Sequence, residues 1–346
     1  MTEAHRPAGL GPLPTAPLGS HALPALYLLA LEGLRAGGAG EADVREAVED
    51  AAQLAILDQE RAGLDVVSDG EVRRHDFILS FYARLTGLRE TPPARRLGPY
   101  LYDSTPAWDV VYPVTAPDGL GVVGEFEFAR TRTTRPVKIA CPGPLTLSQP
   151  LRLAGGYRQR EDLLWDVAGT VNAELKQLVA AGCRFVQVDE SSNAAYGTSP
   201  EQLVELFNRA VADVDAYVGL HLCFGNLRGR PHSRRRYGEL LPALRAARSD
   251  VLMLEFANRE MAEVAAVAAA GLPQEIAAGV IDVKSFDRET PEQVAARLRT
   301  VTRHLPADRV WAVPDCGLWE TPRWLAVRKL TALTAGAEIV RKELRG

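Results

Sequence analysis

The chain has little that would tie it to a membrane, a nucleic acid or an oxidising compartment. No window approaches the ~20 consecutive apolar residues of a membrane-spanning helix. The first residues carry Glu3 and many Pro and Gly instead of a basic-then-apolar signal pattern. Neither sign of charge dominates, with 40 basic and 44 acidic residues and a net charge of −4, so no broad basic surface for nucleic acid is expected. Cysteines number four, Cys141, Cys183, Cys223 and Cys316. In a long chain with no secretory signal they are read as reduced thiols. No Gly-x-Gly-x-x-Gly turn follows the first strand, which weighs against an open dinucleotide-binding sheet. No internal repeat of fixed period is visible. These absences point to a cytoplasmic protein with no membrane or nucleic-acid partner.

Apolar residues make up 47% of the 346 positions, enough for one large core. Residues 1–17 are rich in Pro, Gly and Ala and read as a flexible leader. From 18 to 346 strand and helix signals alternate. Eight short apolar runs, at 16–20, 65–68, 137–141, 184–189, 218–223, 251–256, 276–283 and 309–314, have the pattern of strands buried on both faces. Between them lie amphipathic helices. Two of these open alike: Ser199-Pro200-Glu201-Gln202 and Thr290-Pro291-Glu292-Gln293 each supply a capping hydroxyl, Pro at the first helical position and Gln at the third. The expected fold is α/β, a (β/α)8 TIM barrel. Residues 86–136 break the rhythm and read as an insertion between strands 2 and 3, with Val122 to Arg130 alternating like a hairpin arm.

Chemistry concentrates at the carboxyl ends of the later strands. His221 and Cys223 are two apart, so on a strand they point the same way. Glu255 lies 32 positions on and Cys316 a further 61, gaps that fit one and two βα units. Two thiolates, an imidazole and a carboxylate are ligand types that complete a tetrahedral zinc shell. A His-x-Cys alone is more often core, and a strand-end Glu is often merely solvated. Convergence from three strand ends makes the set a candidate zinc site. Cys183 reads as packing, and so does Cys141.

His221-Leu222-Cys223, Leu254-Glu255 and Pro314-Asp315-Cys316-Gly317-Leu318 resemble the zinc motifs of the cobalamin-independent methionine synthase family, in its C-terminal barrel. So do Leu18-Gly19-Ser20; Asp69-Gly70-Glu71 with Arg74 and Asp76-Phe77; Gly143-Pro144-Leu145-Thr146; Gln187-Val188-Asp189-Glu190; and Gly279 to Ser285, in the family's order. The chain is similar to the single-barrel members, which lack the long synthase's N-terminal half. The resemblance implies a zinc-dependent S-methyltransferase that activates homocysteine as a zinc thiolate and methylates it to methionine. It implies Zn2+ on His221, Cys223, Glu255 and Cys316, and a substrate amino acid gripped by Ser20, Glu71 and Asp189, with Glu190 beside them. Lys284, with Asp282, stands where the family carries a proton-donating His. Lysine would need its pKa lowered by burial to serve. The Trp that meets the folate ring is absent from Leu147-Ser148-Gln149-Pro150. The methyl donor is therefore open between a folate, a methylcorrinoid protein and a small methylated compound. Arg228, Arg230, His232, Arg234, Arg235 and Arg236 form a basic run that either holds an anionic tail or pairs with local acids. Alkyl transfer to another thiol such as coenzyme M, a lyase like uroporphyrinogen decarboxylase and a non-catalytic zinc-stabilised barrel are the competing readings.

Overall fold

The computed structural model describes residues 6–74, 78–93, 106–190, 197–226, 229–231 and 233–346. In chain order the strands are β1 (Thr86–Thr91), β2 (Ala107–Thr115), β3 (Lys138–Pro142), β4 (Leu151–Leu153), β5 (Phe185–Glu190), β6 (Tyr217–Leu222), β7 (Val251–Leu254), β8 (Glu275–Ile281) and β9 (Val310–Pro314). Strands β3, β5, β6, β7, β8 and β9 lie side by side in that order, every pair parallel. Nearly all their residues are buried, as a parallel sheet covered by helices requires.

Two short bridges close the ring. Val67 pairs in parallel with Val137, its N–H donating to Pro136 O at 3.0 Å while Lys138 N–H donates to Val67 O at 2.8 Å. Thr15 pairs in parallel with Ala312, and its carbonyl accepts from Asp65 N and Val66 N, both at 3.1 Å. Eight parallel segments thus form a TIM barrel. The expected leader ends earlier than its composition suggested. Leu13 to Pro17 are buried, and Ala312 N–H donates to Pro14 O at 2.9 Å, so this stretch is barrel wall. Pro and Gly suit the turns, while Leu13 and Ala16 fill the core.

The barrel interior changes character from bottom to top. Inward residues alternate along each strand. At the bottom, Phe185 of β5 meets Tyr217 of β6 and Trp311 of β9 edge to face, with ring centroids 4.9 and 5.5 Å apart. One layer up, Gly219 leaves the space that Met253 fills; a Cβ there would lie 2.5 Å from the Met253 methyl carbon. Above them the same strands present Gln187, Asp189 and His221, all buried. An apolar plug therefore seals one end and a polar chamber opens at the carboxyl ends.

The insertion has β character, in a different place from that expected. β1 and β2 form an antiparallel hairpin, and β4 adds to β2 in parallel. β4 follows the short helix Pro144–Ser148 at the carboxyl end of β3, so the hairpin hangs from the barrel mouth. Val122–Ala129 is helix, not a hairpin arm. Alternation over eight residues fits either period, and a distant group decides. The buried Glu174 carboxylate accepts from Leu120 N, Val122 N and Val123 N at 2.6, 2.7 and 3.2 Å, satisfying donors that a helix start leaves open. The two expected caps form as read, Gln202 N donating to Ser199 Oγ at 3.1 Å and Thr290 making a full capping box with Gln293.

Candidate metal and thiol site

His221 points inward near the top of β6. Its Nδ1 lies 2.8 Å from Asp189 Oδ1, which also accepts from Gln187 Nε2 at 2.6 Å. With Nδ1 facing Asp189, the buried Nε2 faces the other way, toward Cys316. Cys223 and Cys316 lie on that side, their Sγ atoms 3.8 Å apart and unbonded. The ligand atoms of His221, Cys223 and Cys316 are all within 4.8 Å of one another. Burial alone would lower the His221 imidazole, but Asp189 and Cys316 outweigh it and raise it to about 10. The hydrogen bond with Cys316 brings the Cys223 thiol below its ordinary value. The pocket thus favours positive charge at one point. Two sulfurs, an imidazole nitrogen and a carboxylate behind the imidazole suit a soft divalent metal such as zinc.

Cys316 reaches this point because two loops meet closely. Gly19 has φ +65°, and a Cβ on it would sit 2.9 Å from Gly317 N; one on Gly317 would sit 2.7 Å from Ser20 N. Leu318 N–H donates to Ser20 O across the same seam. Ser20 is thereby placed beside the loop that carries Cys316. Its hydroxyl donates to Glu71 Oε2 at 2.9 Å, and Arg74 lies 3.2 Å from the same carboxylate. Glu71 itself is left-handed, φ +55°, an unusual conformation for a residue with a side chain, held by its N–H donating to Asp69 Oδ1. Burial raises the Glu71 carboxyl against the pull of Arg74. Burial would also raise Asp189, but the hydrogen bond and charge of His221 hold it below the usual range. Asp189 Oδ2 is buried without a hydrogen-bond partner among the described residues. Ser20, Glu71 and Asp189 are thus gathered with one carboxylate oxygen free.

Glu255, Asp282 and Glu190 are each held by neighbouring groups. Glu255 is fully buried at the end of β7 but is not in the close ligand set among the described residues. Its Oε2 accepts from Lys284 Nζ at 2.7 Å and Phe224 N at 3.3 Å. Burial would lower Lys284, but Glu255 outweighs it and the ammonium is raised, the opposite of the tuning a proton donor needs. Asp282 accepts from Lys284 N at 2.8 Å and Asn258 Nδ2 at 3.1 and 3.0 Å, and so shapes the loop. Glu190 accepts from Leu145 N, Thr146 N and Thr146 Oγ1, organising the turn after β3. A cavity of about 580 Å³ opens beside Lys284, walled by Leu23, Leu28, Phe286, Trp319 and Glu320.

Residues 13–338 match the family described as cobalamin-independent synthase, catalytic domain. The chain belongs to that family. A methionine synthase of Sulfurisphaera tokodaii is 33% identical over 96% of this chain and 94% of its own length, and one of Saccharolobus solfataricus is 31% identical over 96% of each. A B12-independent methionine synthase from Shewanella, solved with selenomethionine, superposes with a TM-score of 0.81 at 28% identity, covering 97% of this chain and 99% of that one. The protein is a cobalamin-independent methyltransferase of this family, on the family's barrel. No helix among the described residues is long and apolar enough to cross a membrane.

Some of the site was missed at the level of sequence. Gln187 orients Asp189, and its signal was available: it sits two residues earlier on the same strand face. Tyr237 was not visible, because it reaches back from a loop to accept from Glu255 N at 2.7 Å and donate to Leu222 O at 3.1 Å. Asp315 accepts from Phe256 N, Ala257 N and Asn258 N, tying the turn after Glu255 to the Cys316 loop. Within the basic run, Arg235 bonds Asn258 O at 2.7 Å and exposed Arg234 lies 3.9 Å from Glu239. These contacts favour local pairing over an anion grip. Arg228, His232 and the Asp76-Phe77 motif lie outside the described residues.

Proposed function

We propose that this enzyme methylates the thiol of homocysteine to give methionine, using zinc held by His221, Cys223 and Cys316 with Glu255 beside them. The observation that carries the reading is the meeting of these three ligand atoms within 4.8 Å, at the mouth of a barrel that also gathers Ser20, Glu71 and Asp189. When bound, zinc supplies a Lewis acid that lowers the thiol pKa, so that the acceptor is a thiolate at neutral pH. Asp189 fixes the His221 ring and its tautomer. Glu71 and the free Asp189 oxygen hold the substrate ammonium by charge-assisted hydrogen bonds, and Ser20 steadies Glu71. This grip favours homocysteine over a sulfonate thiol, which has no amine to offer two carboxylates. Four unbridged cysteines suit a reducing cytoplasm.

We infer further that methyltetrahydrofolate is a poor donor. Its leaving nitrogen needs a proton, and Lys284 is held as an ammonium by Glu255. A methylcorrinoid, whose leaving group needs none, suits the site better. Side-by-side assays with both donors, read by mass of the product thioether and run alongside metal analysis, test both readings. Turnover with methyltetrahydrofolate at kcat/KM of ~10⁴ M⁻¹s⁻¹ or above would overturn the donor assignment. Absence of thiol methylation with every donor would overturn the function.

A further inference from the structure

A lysine stands at the level where the barrel is otherwise apolar. Lys138 of β3 pairs in register with Phe185, a member of the aromatic plug, and is only 1% exposed. A buried cation is costly unless it is paired and hydrogen-bonded. Asp69, Glu71 and Asp189 attract this one, yet burial still brings its ammonium down to about 8. The hydrogen bond its Nζ makes among the described residues goes to none of these carboxylates. It goes to Gln187 Oε1, two residues along β5 from Phe185.

That contact has a direction, and the direction is handed on. An ammonium can only donate, so Lys138 takes the oxygen end of the Gln187 amide. The nitrogen end is thereby turned to Asp189, and Nε2 donates to Oδ1 at 2.6 Å. An amide turned the other way would set its oxygen against that carboxylate, acceptor to acceptor. The same Oδ1 lies 2.8 Å from His221 Nδ1. A carboxylate oxygen that accepts from an amide also accepts from the ring, so Nδ1 carries the proton and Nε2 is the nitrogen left for a metal. We propose that Lys138 is a positioning residue that, through Gln187, fixes Asp189 as an acceptor and commits His221 to offer Nε2 to the metal. This role rests on zinc being held by His221, Cys223 and Cys316. Lys138 itself touches neither metal nor substrate. Were it only a counter-charge to three acids, its removal would make the site more negative and bind a cation more tightly. Acting through Gln187, its removal weakens the metal instead, so the two roles differ in sign.

The test uses the full-length zinc protein with Lys138→Met and Gln187→Glu. Zinc affinity is read by competition with a chromophoric chelator. The His221 Nδ1–H proton is read by NMR of the cadmium-substituted protein with isotope-labelled histidine, the ring being identified by its coupling to the metal. Lys138→Met removes the donor that orients the amide. Zinc affinity should fall by about tenfold, the lower end for a change behind a metal ligand, and the downfield Nδ1–H signal should move upfield or vanish. Gln187→Glu keeps an oxygen for Lys138 but has no N–H for Asp189. Zinc affinity should again fall by about tenfold, although a negative charge has been added. Unchanged or tighter zinc binding in either variant would overturn the proposal. So would weaker zinc binding in Lys138→Met with the Nδ1–H signal unmoved, the pattern of a merely loosened core. Gln187→Glu decides the matter even if Lys138→Met does not fold. Full zinc retention in Cys223→Ser would instead remove the metal assignment, and the proposal with it.

Discussion

The two walls of the barrel mouth are built to different standards. On the acceptor wall, Asp189, His221 and Cys223 sit at strand ends and Ser20, Glu71 and Cys316 in the tight turns beside them, and most of their polar atoms are committed to one another. On the opposite wall, the cavity beside Lys284 is lined by loop and helix residues, with Phe286 69% exposed. Strand ends are fixed by the ladder to fractions of an ångström, whereas loops accept substitution. If the cavity beside Lys284 receives the methyl donor, the proposed acceptor side is rigid and the donor side adaptable. A family can then keep one acceptor while changing what brings the methyl group.

That contrast can be broken most directly at the sulfurs. Cys316→Ser should lower zinc affinity and methyl transfer by ~100-fold or more, since it removes a ligand outright. Metal analysis with activity on the same sample checks it, and normal zinc content would show the wall has another anchor.

Within the acceptor wall, Asp189→Asn and Glu71→Gln should separate. Asp189 backs the imidazole, so its loss should weaken zinc binding by about 10–100-fold. Glu71→Gln should leave zinc in place and raise the homocysteine KM by about tenfold, the scale of one charge-assisted hydrogen bond. Chelator competition and steady-state kinetics on both variants distinguish a metal role from a substrate role. Equal zinc loss in the two would merge them into one metal-supporting network.

Glu190 gives a pH signature of the same wall. Burial raises its carboxyl to about 7, against hydrogen bonds from Thr146 and Leu145 that lower it. A carboxyl raised on folding favours the folded state fully below its unfolded pKa, near 4.5, and that contribution is lost as pH rises to about 7. Glu190→Gln should flatten this part of the stability curve, by on the order of 1–3 kcal/mol, in urea melts taken across that interval. An unchanged slope would assign the titration to another buried acid, such as Asp69, also raised to about 7.

The smallest effect belongs to the opposite wall. Phe286→Ala should raise the donor KM by about threefold and leave homocysteine binding alone, because a mostly exposed ring contributes only a fraction of full burial. A change in homocysteine affinity instead would mean that the two walls are coupled.

The barrel and the close cluster of His221, Cys223 and Cys316 were legible in the sequence because both follow short-range rules. Buried strands read as apolar runs, and His221-x-Cys223 places two candidate ligands on one face. What was not legible depends on side chains arriving from afar. Glu174 turns an alternating segment into the helix Val122–Ala129, and Lys284 takes Glu255 to itself across 29 positions. The tight approach of Gly19 to Gly317 is likewise a meeting that no local pattern announces. Composition misled only at the start, where Leu13 to Pro17 proved to be barrel wall.

The seam where Thr15 pairs with Ala312 has a consequence for how the enzyme is born. Ser20 and Cys316 face one another across it, so partners that share one substrate are separated by almost the whole chain. During synthesis the early segments wait for β9 before the ring can shut, and contacts of such long range are slow to form. His221 and Cys223 emerge well before Cys316 and can offer a metal only a partial grip. On the proposed zinc reading, stable metal capture is timed to ring closure, and a nascent or clipped chain should hold zinc weakly and turn over nothing.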